Sequence, residues 1–121
     1  MNLKRRLDKL IDDNLRLLLI DMRTLMTMSD RNIIPRKSYT VSRVLYAHLM
    51  FHGKMLEAIR GNVDCIAALI MHQNEIMSIA NTLDEYEIES KEFKKLIESI
   101  RSKIVVIVEE ENQIMNELVE Y

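Results

Sequence analysis

His48, His52 and His72 are the three histidines of this 121-residue chain, and their spacing suggests chemistry first. His48 and His52 stand four apart, so on a helix one imidazole lies a turn above the other and both can face a single metal ion. Cys65, Asp64 and His72 are the candidates for a third ligand, all on the segment that follows. Leu49 occupies the position after His48 where a helical zinc protease carries its general-base glutamate, so that activity is not expected. The default expectation is no metal and no cofactor, with His48 and His52 the pair that would hold an ion.

Arg43 precedes His48 by five residues. An imidazole can move a proton while a guanidinium steadies phosphate charge. The pair resembles the Arg-x4-6-His motif of the HEPN helical ribonucleases, in which it sits on a helix and cleaves RNA, usually across a dimer. The likeness spans six residues, and Leu49-Met50-Phe51 follow where that family has polar residues. What it implies is an RNA-cleaving site at Arg43 and His48.

The remaining reactive residues read as structure. Asp8, Asp12 and Asp13, and separately Glu109 to Glu111, fit solvated helix faces. Glu89 and Glu92 have a metal-hydrolase spacing but sit where a helix should start, a place that favours acids through the helix dipole. Cys65 lies among Val63, Ile66 and Ala67 and reads as buried and inert. Two isolated glycines cannot build a phosphate loop. Arg31, Arg36, Lys37 and Arg43, with Tyr39 and Tyr46 nearby, fit a solvated basic loop.

Four segments must position these residues. Leu7, Ile11, Leu15, Leu18, Met22 and Leu25 form a helical stripe over residues 3–28, widened by Leu10, Leu17 and Met28. Pro35 marks a break, with Ser38 or Thr40 as the cap of a second helix running to about Arg60. Gly53 inside that helix costs about 1 kcal/mol relative to Ala, which points to a kink or to a close neighbour. Gly61-Asn62 is the next break, unless segments two and three form one bent helix. A third helix over about 63–83 carries Ile66, Ile70, Met77, Ala80 and Leu83. Ser90 then opens a fourth.

The fourth segment carries the strongest pattern. Phe93, Ile97, Ile100, Ile104, Ile107, Ile114 and Leu118 recur at steps of 4, 3, 4, 3, 7 and 4, and Glu111 alone interrupts the series. Such a stripe must lie against other helices. Residues 104–108 are a β-branched run, which on propensity alone favours a strand. The seven-residue spacing on both sides predicts a helix instead, buried on most of its circumference.

Composition sets the outer limits. Gly 2 and Pro 1 leave few turn formers, which argues for long helices and few connections. A net charge of −2 gives no general nucleic-acid footprint. Residues 1–83 sum to +4 and residues 84–121 to −6, so the two parts attract each other. An up-down-up-down order would bring Lys4, Arg5, Arg6 and Lys9 to Glu117, Glu120 and the Glu109–Glu111 run. A lone cysteine fits a reducing, cytoplasmic setting, and no apolar run is long enough to span a bilayer.

These observations predict one all-α domain over residues 1–121, an antiparallel bundle of four helices. The expected function is a non-enzymatic helical interaction protein, an adaptor, chaperone or regulator. It would bind a partner helix or a second copy of itself, with a dimer the expected state and neither membrane nor nucleic acid as partner. Val105, Val108, Met115 and Val119 on the fourth helix, with Met22, Met26 and Met28 on the first, are the expected contact residues. Size, helicity, acidity and lack of Trp also resemble those of small bacterial flagellar or type III export chaperones, which would imply capture of a secreted substrate's helix.

Overall fold

The structure, a computed structural model, describes residues 3–30, 34, 36–59, 66–85 and 90–119. All of its elements are helical. α1 (Leu3–Arg16), a π-helical segment (Leu17–Met22) and α2 (Arg23–Asp30) follow one another without a break and form one long rod. α3 (Arg36–Ile59), α4 (Ile66–Asp84) and α5 (Lys91–Val119) complete the bundle. The expected all-α fold is therefore the observed one, and residues 104–108 are helical.

The order around the bundle follows from contacts. The rod packs on α3, α3 on α4, α4 on α5, and α5 back on the rod. Arg6 meets Glu110 and Glu117, whereas Asp21 meets Lys103, so the rod and α5 run in opposite directions. Gln73 with Glu111, and Asn81 with Arg101, show the same for α4 and α5. α3 and α4 lie side by side with a short connection, which rules out one bent helix and leaves them antiparallel. The Gly61-Asn62 break and Cys65 lie outside the described residues.

Burial explains why each helix forms where it does. Phe93, Ile97, Ile100, Ile104, Ile107 and Ile114 of the predicted stripe are all buried, and the Leu118 side chain lies outside the described residues. Ser90 caps α5, with its hydroxyl accepting from the Phe93 N–H and its carbonyl from Lys94. The rod differs from expectation. Leu15 is half exposed and Asn14 is buried in its place, whereas Leu10 and Leu17, which widen the predicted stripe, are buried as expected. One extra residue per turn in the π segment shifts the register, so Leu17, Leu18, Asp21 and Met22 all turn inward.

α3 starts earlier than predicted. It opens at Arg36, so neither Ser38 nor Thr40 is its cap. The Thr40 and Ser42 hydroxyls instead donate to the carbonyls of Arg36 and Ser38, one turn back. Gly53 sits against a neighbour: a Cβ there would lie 3.0 Å from Asn14 Nδ2. Asn14 needs that space because its Nδ2 donates to the Leu49 carbonyl at 2.9 Å.

The charge asymmetry is used within the fold. Arg6 donates to Glu110 at 2.9 Å and to Glu117 at 2.6 Å. Its hydrogen bond to Glu117 holds that carboxyl below the usual carboxylate range. Lys9 and Arg16 pair instead within the rod, with Asp13 and Asp12. No described helix is long and apolar enough to cross a membrane.

Candidate functional site

A line of polar side chains runs from the surface into the centre of the bundle. Glu75 on α4 is exposed, and His48 on α3 is half buried at its side, with Nδ1 3.6 Å from Glu75 Oε2. His48 Nδ1 is also 3.0 Å from His72 Nε2. His72 Nδ1 is 3.0 Å from His52 Nδ1. His52 Nε2 is 2.6 Å from Glu111 Oε1, and Gln73 Nε2 donates to Glu111 Oε2 at 2.5 Å. His52 and Glu111 are each 1% exposed.

The helices place these groups by simple register. His48 and His52 lie one turn apart on α3, and His72 on α4 inserts between them. Both pairs of rings stack, with centroids 5.2 Å apart. Phe51 closes one side, edge-on to His72 at 5.2 Å. Glu111 occupies the one polar position on the α5 stripe and points at the bundle axis. His52 and Glu111 thereby join α3 to α5 across the diagonal, while Gln73 ties in α4.

An all-neutral assignment of the imidazoles satisfies each contact. His52 donates Nε2–H to Glu111 Oε1 and accepts at Nδ1 from His72. His72 then accepts at Nε2 from His48 Nδ1–H. Burial first, and then the nearness of His52 and His48, lowers the His72 pKa to about 4. The central imidazole is therefore uncharged at neutral pH, with a lone pair on Nε2 directed outward.

The outer end opens into a shallow depression of about 250 Å³ lined by Ala47, His48, Phe51, His72 and Glu75. His48, His72 and Glu75 each bring one ligand atom within 4.8 Å of the others. Both nitrogens of His52 are engaged, one with His72 and one with Glu111, so His48 and His52 do not face one ion together. His72 takes that place. Asp64 and Cys65 lie outside the described residues.

Arg43 and His48 lie on different sides of α3. Five residues turn a helix by about 140°, and Arg43 donates to the Tyr39 hydroxyl at 2.8 Å with its guanidinium over that ring. The expected partner-contact residues need correction as well. Met22, Met28 and Met115 are buried in the chain's own core and present no surface. Met26 and Val108 are half buried, Val105 is exposed, and the Val119 side chain lies outside the described residues. Val105 and Val106 face outward, so α5 is not enclosed on most of its circumference.

Gln73, Glu75 and Asn14 were not singled out by sequence reasoning. The signal available for the site was the gap in the α5 stripe: a glutamate on a core face needs donors, and imidazoles are the obvious ones. No family model matches the chain, and none of the curated proteins or solved structures does.

Proposed function

We propose that this chain is a non-enzymatic helical interaction protein whose partner is a helix, in the first place one from a second copy of itself. The docking face is the outer side of α3 and α4. The observation that carries the proposal is a second apolar stripe on α3, pointing outward. Val44, Ala47 and Phe51 recur at steps of 3 and 4, and all are exposed. That is the seam spacing one helix offers another.

α4 continues the face. Ala68 and Met71 are exposed at a step of 3, Met71 at 70%. The helix has no Lys or Arg along its 19 residues. An exposed helix face so poor in charge fits a covered surface better than a solvated one. It also favours a like partner: the two stripes continue into one exposed cation, Lys54, and one exposed anion, Glu75, so two copies can meet about a two-fold axis without a surplus of either charge.

Sedimentation equilibrium over a wide concentration range tests this reading. Wild type is expected to dimerise. Val44→Glu and Met71→Glu, which leave the histidines untouched, are expected to be monomeric with unchanged helical circular dichroism. A wild type that stays monomeric throughout overturns the assignment.

A further inference from the structure

We propose that His48, His72 and Glu75 form a binding site for a divalent transition-metal ion of the zinc class, oriented from behind by His52 and Glu111. All three ligands come from one chain, and the site opens beside Ala47 and Phe51 on the same α3–α4 face proposed above for self-association, so zinc binding is tested by its own readout.

The donor set is the first argument. Two imidazole nitrogens and one carboxylate oxygen suit zinc, cobalt, nickel or copper and do not suit calcium or magnesium. Each of the three groups comes from a helix, so their Cα positions are fixed by packing. Glu75 follows His72 by three residues, on the same face of α4, and His48 reaches across from α3.

Distances are the second argument. A tetrahedral ion about 2.1 Å from each donor separates its ligand atoms by about 3.4 Å. His48 Nδ1 is 3.0 Å from His72 Nε2 and 3.6 Å from Glu75 Oε2. Changes of a few tenths of an ångström on these two edges admit the ion, and exposed Glu75 has the freedom to close the third. A proton shared between His48 and His72 would be replaced by the metal, with the His48 proton moving to Nε2.

The third argument is what lies behind the ligands. Metal-bound histidines nearly always donate their other N–H to a carboxylate or another acceptor, which fixes the tautomer and strengthens the ligand. His72 Nδ1–H has that acceptor in His52, and His52 Nε2–H has Glu111. A carboxylate in the core of a small bundle carries a large desolvation cost. Its placement at the end of this line gives His72 the polarity a ligand requires, with Nε2 unprotonated toward the opening. Three protein ligands leave a fourth position facing the depression beside Ala47 and Phe51, the arrangement of zinc sites that keep a bound water.

Calorimetric titration of tag-free, chelator-treated protein with ZnCl2 tests the site, alongside visible absorption on titration with CoCl2. One equivalent per chain and a tetrahedral cobalt band are expected. His48→Ala and Glu75→Ala should each weaken zinc binding at least tenfold; both positions are outside the core, and retained circular dichroism shows that each variant folds. Glu111→Gln, which keeps the donors, should weaken binding by about 10- to 100-fold through His52. Less than a tenth of an equivalent bound to wild type overturns the proposal. So does binding that His48→Ala and Glu75→Ala leave unchanged.

Discussion

His52 Nε2 lies 2.6 Å from Glu111 Oε1, and this contact ties α3 to α5 through the middle of the bundle. Glu111 stands where the α5 stripe calls for an apolar residue. Pattern alone therefore suggests that Glu111→Leu would extend the core and stabilise the fold. Hydrogen bonding reverses that expectation. Leu at 111 leaves the His52 Nε2–H and one Gln73 N–H buried without acceptors, at about 1–3 kcal/mol each. A net loss of at least about 2 kcal/mol is expected for Glu111→Leu by urea denaturation. In a double-mutant cycle with His52→Leu, the losses should be smaller together than their sum, by at least about 1 kcal/mol. A stabilised single variant, or strict additivity, would show that the contact carries no net energy.

The same residue shows how far the sequence could be read. The periodicity of α5 is strong because one helix face is buried along its whole length, so spacing alone located Phe93 to Ile114. The rod was read less well because a π segment breaks the 3.6-residue period, and no residue type announces one. Leu15 and Asn14 exchange roles across that shift, leaving a leucine half exposed and an amide buried. The histidine line was legible only in pieces. His48 and His52 share a helix and could be paired by counting, whereas His72, Gln73 and Glu111 join them through tertiary packing. Met22, Met28 and Met115 illustrate the opposite error. Their deformable side chains suit a contact surface on composition alone, but the broad core of the bundle takes them in.

Acid should destabilise the metal-free protein through His72. Its folded pKa is lowered to about 4 from the ordinary 6.5 by burial and its histidine neighbours. Above pH 6.5 folded and unfolded chains both carry a neutral imidazole, and the full stability is present. Between 6.5 and about 4 the unfolded chain binds a proton that the folded chain does not, so stability falls with pH. Below about 4 both states are protonated and the loss levels off. The whole window is worth at most about 3.5 kcal/mol, at roughly 1.4 kcal/mol per pKa unit. Urea midpoints of chelator-treated wild type and His72→Gln, at several pH values across that window, isolate this contribution from that of the carboxylates. The variant should show the shallower slope. Parallel slopes would mean that His72 titrates normally in the fold.

Asn14 and Gly53 make the sharpest stability test. Replacing a glycine inside a helix by alanine ordinarily gains about 1 kcal/mol. At position 53 the new methyl would stand 3.0 Å from Asn14 Nδ2. That nitrogen cannot retreat freely, because it donates to the Leu49 carbonyl at 2.9 Å. Lengthening this bond in a buried setting consumes the helix-propensity gain, so Gly53→Ala should leave wild type unchanged or less stable. With Asn14→Ala already in place the obstruction is gone, and the same glycine replacement should add the full amount of about 1 kcal/mol. The sign of the coupling is thus fixed in advance: alanine at 53 adds stability only when the amide opposite is removed. Should Gly53→Ala raise the urea midpoint of wild type as much as that of the Asn14→Ala protein, close packing would not be the reason for glycine at this position.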